Sequence, residues 1–410
     1  MKKFTWFLTL ALVLVFAVSC GSSSKKDEKE TPDTDTDEIS DEEPAETDGD
    51  AEEPTADDSD KEPVEEPEKE PLKCEDFAEG LNENLIVGEG SNELARSFYL
   101  RLPEKIDSLE KVPVIFMYHG YGDSAKNFES FFSSYVNNET MPFILVTPES
   151  RDDVFGFTTL PPAGLEWDMM NLKDASAEGD MFDAILSCLE KRWKIDEKHI
   201  HVSGFSAGAI TANSMGLQKS EKIASILSYS GAYFSDAASR DALGEMMGMK
   251  IGDFFSWPDF AEEHNKYPQV FVHGDKEKDS WGMAGVFTIY FNQMARFGAN
   301  YLTGLGHDAI LCNHGKDHTV AGIDQKGMIK FFAEHPFGSD ASDYRENMPE
   351  EFSEICHFFT EDDLVEEEEP ADPTDPTEPT DPTDPEEKPD EEEVPEIPDT
   401  PDCFRLRCND

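Results

Sequence analysis

Two kinds of apolar pattern alternate along residues 74–360, and this alternation limits the chain to a small set of folds. Short runs rich in β-branched and aromatic residues predict strands, whereas longer stretches with apolar residues every three or four positions predict helices. The predicted strands are 98–102, 112–118, 143–147, 199–203, 223–229, 270–273 and 309–313. The predicted helices are 124–136, 179–193, 207–217, 283–297 and 325–334. The alternation favours an α/β fold with a mainly parallel sheet and helices on both of its faces.

Residues 232–268 interrupt this alternation. The segment is rich in methionine and aromatic side chains, namely Met246, Met247, Met249, Phe254, Phe255, Trp257 and Phe260. These residues follow neither the strand period nor the helix period. Two interpretations stay open, a small cap over a ligand site and an irregular insertion into the domain.

Long acidic segments flank the domain. Residues 21–73 carry a net charge of −17 and residues 361–410 carry −19, out of −56 for the 410-residue chain. Residues 21–73 and 361–402 have few apolar side chains to bury, and the second segment repeats Asp/Glu-Pro-Thr every three residues. Such composition predicts a disordered stalk before the domain and a disordered tail after it. Because no segment is basic, nucleic-acid binding and direct attraction to anionic lipids are excluded.

An export signal is predicted over residues 1–20. Two lysines precede a 15-residue apolar run, 4–18, which is short for a membrane-spanning helix. Small residues precede Cys20, and a glycine and three serines follow it. This pattern resembles a bacterial lipoprotein signal, which implies that Cys20 is lipidated and holds the protein at the outer membrane or cell surface. An ordinary signal peptide with an incidental cysteine is the alternative.

Six further cysteines predict disulfides, because their number is even and the chain carries an export signal. They are Cys74, Cys188, Cys312, Cys356, Cys403 and Cys408. Cys403 and Cys408 are the expected pair, since both lie in the short C-terminal end, residues 403–410, beyond the tail. For Cys188, which falls in a predicted helix, a buried free thiol is the alternative.

The segment Gly204-Phe-Ser206-Ala-Gly208 stands between a predicted strand and a predicted helix. A G-x-S-x-G turn in this context is typical of a nucleophile elbow, in which small neighbours allow the sharp turn that exposes the serine hydroxyl. The start of the helix favours negative charge nearby. Ser206 is therefore the candidate nucleophile, and a serine that only caps its helix is the alternative.

A serine nucleophile needs a base, and behind an elbow of this kind the histidine follows the serine and the acid along the chain. Seven of the ten histidines follow Ser206, and five of these also follow the predicted strand 270–273, namely His307, His314, His318, His335 and His357. His318 is the candidate, because it lies in the loop between the last predicted strand and the last predicted helix. His314 and His318 could also bind a metal, but Gly315 argues against a helix there and no third ligand is evident. No metal or other cofactor is predicted.

Three acidic residues follow the predicted strand 270–273, where an acid would orient the histidine and stabilise its charged form. Asp279 is the first choice, Asp275 the second and Glu277 the third, so the pattern identifies the loop better than the residue.

An oxyanion needs backbone donors from the residue after the serine and from a loop after an early strand. Ala207 supplies the first donor and Tyr121, which follows strand 112–118, supplies the second. His119 is expected to be a structural side chain.

With these motifs the chain resembles the secreted polyhydroxybutyrate depolymerase and feruloyl esterase group of α/β-hydrolases. The resemblance covers roughly residues 95–338 and rests on Tyr118-His-Gly-Tyr-Gly122, residues 195–209, Tyr229-Ser-Gly-Ala232 and Cys312-Asn-His-Gly-Lys-Asp-His318-Thr. It implies the α/β-hydrolase fold, and it implies that His318, the second histidine of the group's His-Gly-x-x-His loop, is the base. Members cleave esters of hydroxyalkanoates, of ferulate on plant polysaccharides, or of acetate on xylan. The acid loop is longer here than the group's His-Gly-x-x-Asp.

The sequence thus predicts a cell-surface serine esterase that acts through an acyl-enzyme on an ester substrate, which is small or polymeric. A serine peptidase of the same fold is the second hypothesis, although the chain has no room for a gating domain. A non-catalytic surface-binding lipoprotein is the third, and such a protein has no need of an elbow, a base and an acid loop together. The substrate and the oligomeric state are not predicted.

Overall fold

The computed structural model describes a large part of the predicted domain and little outside it. The described residues are 70–90, 93–151, 167–169, 172, 176–246, 248–255, 257–276, 278–283, 287–339 and 343–365. The predicted signal with Cys20, the stalk before residue 70, the tail after residue 365 and the expected Cys403–Cys408 pair lie outside them. The described residues start four positions before the predicted domain, 74–360, and end five positions after it. Within it, no helix is both long enough and apolar enough to cross a membrane.

Strands and helices alternate along the described residues. The strands are β1 (Gly80–Val87), β2 (Leu94–Arg101), β3 (Val112–Tyr118), β4 (Ile144–Pro148), β5 (Ile195–Phe205), β6 (Ser225–Tyr229), β7 (Glu245–Met246), β8 (Met249–Lys250), β9 (Gln269–His273), β10 (Ser280–Met283), β11 (Phe287–Tyr290), β12 (Ala309–Asn313) and β13 (Cys356–Phe358). The helices are α1 (Ala125–Phe132), α2 (Ala177–Arg192), α3 (Ala207–Gln218), α4 (Ala237–Asp241), α5 (Phe291–Gly304), α6 (Gln325–Glu334) and α7 (Glu350–Ser353).

A nine-stranded sheet forms the centre of the domain, in the order β1-β2-β4-β3-β5-β6-β9-β12-β13. Neighbours from β4 to β12 pair in parallel, whereas β1, β2 and β13 are joined in antiparallel fashion. In a parallel sheet the carboxyl ends of the strands meet along one edge, where ligands bind. This edge brings together the chain segments that follow β3, β5, β6, β9 and β12.

Separate apolar cores cover the two faces of the sheet. Along β3, Val114 and Phe116 belong to one core, and Ile115 and Met117 belong to the other. Helices α2, α3 and α5 contribute to the first core, and α1 and α6 to the second. Because both faces are covered, β3 is apolar and buried along its whole length. The predicted fold class, a mainly parallel sheet with helices on both faces, is confirmed.

The predicted helix 283–297 is wrong in its first half. There the chain forms the hairpin of β10 and β11, in which Trp281 pairs with Ile289, and α5 starts only at Phe291. The backbone N–H of Phe291 donates a hydrogen bond to the Asp279 carbonyl. The residue before β10 and the residue after β11 are therefore in contact. The pairing depends on contacts between residues of two strands, whereas the helix prediction rests only on the spacing of apolar residues along the chain.

Residues 232–268, whose role the sequence leaves open, form α4, the short strands β7 and β8, and the 3-10 helix Ile251–Phe254. Phe255 and Trp257 are buried in the first core, and the Trp257 indole N–H donates to the Met169 carbonyl over 2.7 Å. The described part of this segment therefore packs into the domain, and its Phe255 borders the same pocket as Ser206.

Two disulfides lie within the described residues. Cys74 is bonded to Cys188 of α2, which overturns the free-thiol interpretation of Cys188. Cys312 is bonded to Cys356, and these residues face each other across β12 and β13. The second bond attaches the antiparallel edge strand to the strand that precedes His318.

Candidate active site

Ser206 occupies the turn between β5 and α3. Its φ of 56° is in the left-handed region that non-glycine residues rarely adopt, and its N–H donates to the Tyr229 carbonyl over 2.9 Å. A Cβ on Gly204 would lie 2.3 Å from the Gly208 carbonyl oxygen, and one on Gly208 would lie 2.2 Å from the Tyr118 carbonyl oxygen. Only glycine therefore allows β5, α3 and the end of β3 to approach this closely.

His318 lies between Ser206 and Asp279. Its Nε2 is 2.8 Å from the Ser206 Oγ, and its Nδ1 is 2.7 Å from the Asp279 Oδ1. Because an ionised carboxylate can only accept hydrogen bonds, the imidazole proton lies on Nδ1 and is donated in the hydrogen bond to Asp279. The unprotonated Nε2 then accepts a hydrogen bond from the Ser206 hydroxyl. The imidazole packs between the rings of Phe205 and Phe291, each 4.7 Å away, and these contacts hold its plane.

The three acidic candidates have different positions. Asp279 is fully buried and accepts hydrogen bonds from His318, from the Ser230 hydroxyl and from the Gly274 N–H, the last over 2.7 Å. Asp275 is only partly buried, and its ion pair with Lys278 lowers the pKa of its carboxyl. Glu277 lies outside the described residues. The structure thus brings Ser206, His318 and Asp279 together, whereas Asp275 forms an ion pair with Lys278 instead.

The two predicted oxyanion donors border the same space as Ser206. Ala207 is the first residue of α3, so its N–H has no partner within the helix. Tyr121 follows β3 in a loop that is held from behind by the buried His119, whose Nδ1–H donates to the Gly120 carbonyl over 2.9 Å. The Trp167 indole N–H donates to the His119 carbonyl over 3.1 Å. His119 therefore supports the loop, as expected from the sequence.

His314, the other histidine of the predicted loop, does not join Asp279. Its Nδ1 accepts the Lys316 N–H over 3.2 Å, and burial lowers the pKa of its imidazole. Across the described ranges, no three histidine, cysteine or acidic side chains gather as metal ligands would.

An apolar pocket opens beside the Ser206 hydroxyl. Its described lining consists of Tyr121, Met169, Ser206, Ala207, Ile210, Phe255, Trp281, Ile289 and Phe291. It contains about 420 Å³ of empty space, part of which is open to solvent. The rings of Tyr121 and Trp281 are 5.8 Å apart, so the oxyanion loop and the β10–β11 hairpin meet across it. Such a lining suits an apolar group attached to a reacting carbonyl.

Some contributors to this site could not be selected from the sequence. Ser230 and Gly274 donate to Asp279, and a signal for Ser230 existed in the Tyr229-Ser-Gly-Ala232 motif, although it gave no role to the hydroxyl. Phe255, Trp281 and Ile289 reach the pocket from an irregular insertion and from a hairpin, and no local pattern places them there.

Comparisons with known proteins agree with this architecture. The model of the phospholipase/carboxylesterase family matches residues 105–247, about a third of the chain, which includes Ser206 but neither Asp279 nor His318. No protein of curated function matches the chain.

Solved structures resemble the chain more widely. The crystal structure of native pOPH is 18% identical, covers 71% of this chain and 98% of its own, and has a TM-score of 0.52. Native sOPH has the same identity and TM-score and covers 73% and 98%. An acetyl xylan esterase from Aspergillus awamori is 14% identical, covers 62% and 98%, and has a TM-score of 0.44, too low to add to the argument. At these identities the likeness concerns the fold, and the chain has the α/β-hydrolase fold.

Proposed function

We propose that this α/β-hydrolase is a serine esterase that cleaves carboxylic esters through an acyl-enzyme intermediate. The observation that carries the proposal is the hydrogen-bonded chain Ser206–His318–Asp279, which starts at a strained elbow and ends in a buried carboxylate. An arrangement in which the base touches the nucleophile and is itself oriented by a third group is the signature of an activated serine. The match to the phospholipase/carboxylesterase family across the elbow also supports it.

In the proposed mechanism, His318 Nε2 removes the hydroxyl proton as the Ser206 Oγ attacks the ester carbonyl carbon. The negative charge that develops on the carbonyl oxygen is stabilised by the backbone N–H groups of Ala207 and Tyr121. His318 then gives its proton to the departing alcohol. A water molecule, deprotonated by the same nitrogen, attacks the acyl-enzyme and releases the acid, and Asp279 stabilises the imidazolium in both steps.

The pocket supports an ester with an apolar group next to the reacting carbonyl. Apart from Ser206, each side chain in its described lining is hydrocarbon, thioether or aromatic. The rest of the substrate would extend into solvent, which is compatible with feruloyl, acetyl-polysaccharide and polyhydroxyalkanoate esters and with polymers. Peptides are the alternative substrates of the same fold, and a silent binding protein is the alternative to an enzyme.

A fluorophosphonate probe together with a panel of esters tests this function. We expect the probe to label the wild type, and we expect Ser206→Ala to remove labelling and to lower ester turnover by about 10⁴- to 10⁶-fold. Ser130→Ala, at an exposed serine of α1, is the matched control and should behave as the wild type.

The panel contains naphthyl, feruloyl, acetyl and hydroxybutyryl esters and peptide anilides. Faster cleavage of the anilides would favour the peptidase. If the wild type hydrolyses no ester and does not react with the probe, the hypothesis of a non-catalytic binding protein is favoured. Labelling at another serine would contradict the assignment of Ser206 as the nucleophile.

We propose further that the enzyme is exported and held at the cell surface by a lipid on Cys20. The two disulfides support an oxidising compartment, because such bonds are rare in the cytosol. A stalk of 53 residues, 21–73, would have an r.m.s. reach of about 40 Å, extended further by charge repulsion. Labelled palmitate should enter the wild type and not Cys20→Ser. Wild-type protein found unlabelled in the medium would rule out the anchor.

A further inference from the structure

A second serine near Asp279 has an unusual backbone conformation. Among the described non-glycine residues, four have a positive φ, namely Asn84, Lys105, Ser206 and Ser230. Ser206 follows β5 and Ser230 follows β6, and these two strands are neighbours in the sheet. A left-handed conformation disfavours any residue with a Cβ, so glycine would fit at position 230 with less strain. A serine kept at such a place indicates a use for its hydroxyl.

The contacts of Ser230 show where that hydroxyl points. Its Oγ lies 3.1 Å from the Asp279 Oδ1 and 2.9 Å from the Oδ2, and it donates to this carboxylate. Its N–H donates to the Val272 carbonyl over 2.7 Å, which holds the backbone of Ser230 against β9. Ser230 and Asp279 are both fully buried. The hydroxyl therefore lies against both oxygens of the carboxylate, including the Oδ1 that accepts from His318.

We propose that Ser230 is a positioning residue for the reaction, the fourth member of a hydrogen-bonded chain Ser206–His318–Asp279–Ser230. The proposal rests on the proposed esterase function. Asp279 must stay ionised inside the protein, and a buried carboxylate is tolerated only when donors satisfy its oxygens. Gly274 and Ser230 satisfy the Oδ2, and His318 and Ser230 satisfy the Oδ1.

The geometry gives Ser230 two effects on His318. Its hydroxyl fixes the rotation of the carboxylate, so the Oδ1 stays on the line of the imidazole Nδ1–H. It also draws negative charge away from the Oδ1, which lowers the basicity of the atom that His318 faces. Without the hydroxyl, the carboxylate would rotate more freely and would hold the imidazolium more strongly. The freer rotation would misplace the base and slow the reaction, and the stronger hold on the imidazolium would require a higher pH to obtain the neutral base.

The strain at position 230 allows a variant that separates positioning from folding. Ser230→Gly removes the hydroxyl but also relieves the left-handed backbone, so the strain relief offsets part of the stability that is lost with the hydrogen bond to the buried carboxylate. Ser230→Ala removes the hydroxyl and keeps the Cβ. Lys105→Gly relieves the same strain at an exposed site far along the chain and is the matched control.

Kinetics and thermal unfolding of the full exported chain test the proposal. For both Ser230 variants we expect kcat to fall by about ten- to a hundredfold, the range of one hydrogen bond to a charged group, with KM close to that of the wild type. The acid limb of the pH dependence of kcat/KM should move to higher pH. The thermal midpoint of Ser230→Gly should lie above that of Ser230→Ala, because only the glycine relieves the left-handed backbone, and Lys105→Gly should keep wild-type kinetics.

Two results would overturn the proposal. One is a Ser230→Gly enzyme with wild-type kcat and an unchanged pH profile, which would show that the hydroxyl is not used. The other is an activity loss that accompanies a lower thermal midpoint in Ser230→Gly without any movement of the acid limb, which would make Ser230 structural. Either leaves the esterase function intact, because the wild type would still hydrolyse esters and Ser206→Ala would not.

Discussion

The elbow at Ser206 and the acid loop at Asp279 contribute to the same hydrogen-bonded chain, but they are built in different ways. The elbow depends on residues within two positions of the serine, since Gly204 and Gly208 are the places where a Cβ would collide with backbone. The acid loop depends on distant partners, since Asp279 is held by Ser230 of another strand and by His318 of a third segment.

This difference shows where a functional residue can be read from sequence. A sharp turn requires small residues next to the serine, and these neighbours are visible in the sequence. Ser206 can therefore be identified from the sequence alone. Three carboxylates in one loop look alike in the chain, and only burial and donors distinguish them. Asp279 is fully buried, whereas Asp275 is only partly buried and forms an ion pair with Lys278.

In this comparison of the elbow with the acid loop, the larger expected effect is that of a change in the acid loop. Asp279→Asn should lower kcat by about 10³- to 10⁴-fold, because a neutral amide cannot stabilise the imidazolium and can turn an N–H toward the Nδ1–H. Asp275→Asn should stay within about twofold of the wild type, because it removes only an exposed ion pair with Lys278. Steady-state kinetics on the best ester of the panel measure both variants.

Glu277→Gln completes that comparison. Suppose that Asp279→Asn keeps nearly wild-type activity while Asp275→Asn or Glu277→Gln loses most of it. The residue whose substitution causes the loss, Asp275 or Glu277, would then be the acid that orients His318. This result would also mean that the contact between Asp279 and His318 is not the one used in the reaction.

The same distinction explains how much of the fold the sequence predicts. Strands β3 and β12 and helix α6 have the predicted bounds, because they are short apolar runs or amphipathic stretches that end at polar residues. The edge strands β1 and β13 were missed. In β1, Leu81 and Ile86 are exposed while Leu85 and Val87 are buried, so no continuous apolar run marks an edge strand.

The acid side of the site departs from prediction for the same reason. The hairpin of β10 and β11 and the bond between Cys312 and Cys356 arise from contacts across strands, and the sequence period over 283–297 resembled a helix. Residues that line the pocket from this side, Trp281 and Ile289, could not be assigned before the hairpin was known. Local geometry was predictable, whereas the environment of the acid was not.

The smallest expected effect tests the elbow side. In Gly208→Ala the new Cβ would lie 2.2 Å from the Tyr118 carbonyl oxygen and 2.3 Å from that of His119, and these backbone atoms cannot move aside as a side chain could. Helix α3 must therefore shift from β3, which we expect to lower the free energy of unfolding by about 1–3 kcal/mol. The shift also moves Ala207 away from Tyr121, so kcat should fall by about tenfold, less than in Asp279→Asn.

Gly304→Ala, at the exposed end of α5 where a Cβ would meet nothing within 4 Å, is the control and should leave stability and kcat unchanged or slightly raise stability. Urea unfolding and kinetics of the two variants measure these effects. If Gly208→Ala behaved as Gly304→Ala does, the close approach of α3 to β3 would not be needed, and the requirement of the elbow for glycine at position 208 would be wrong.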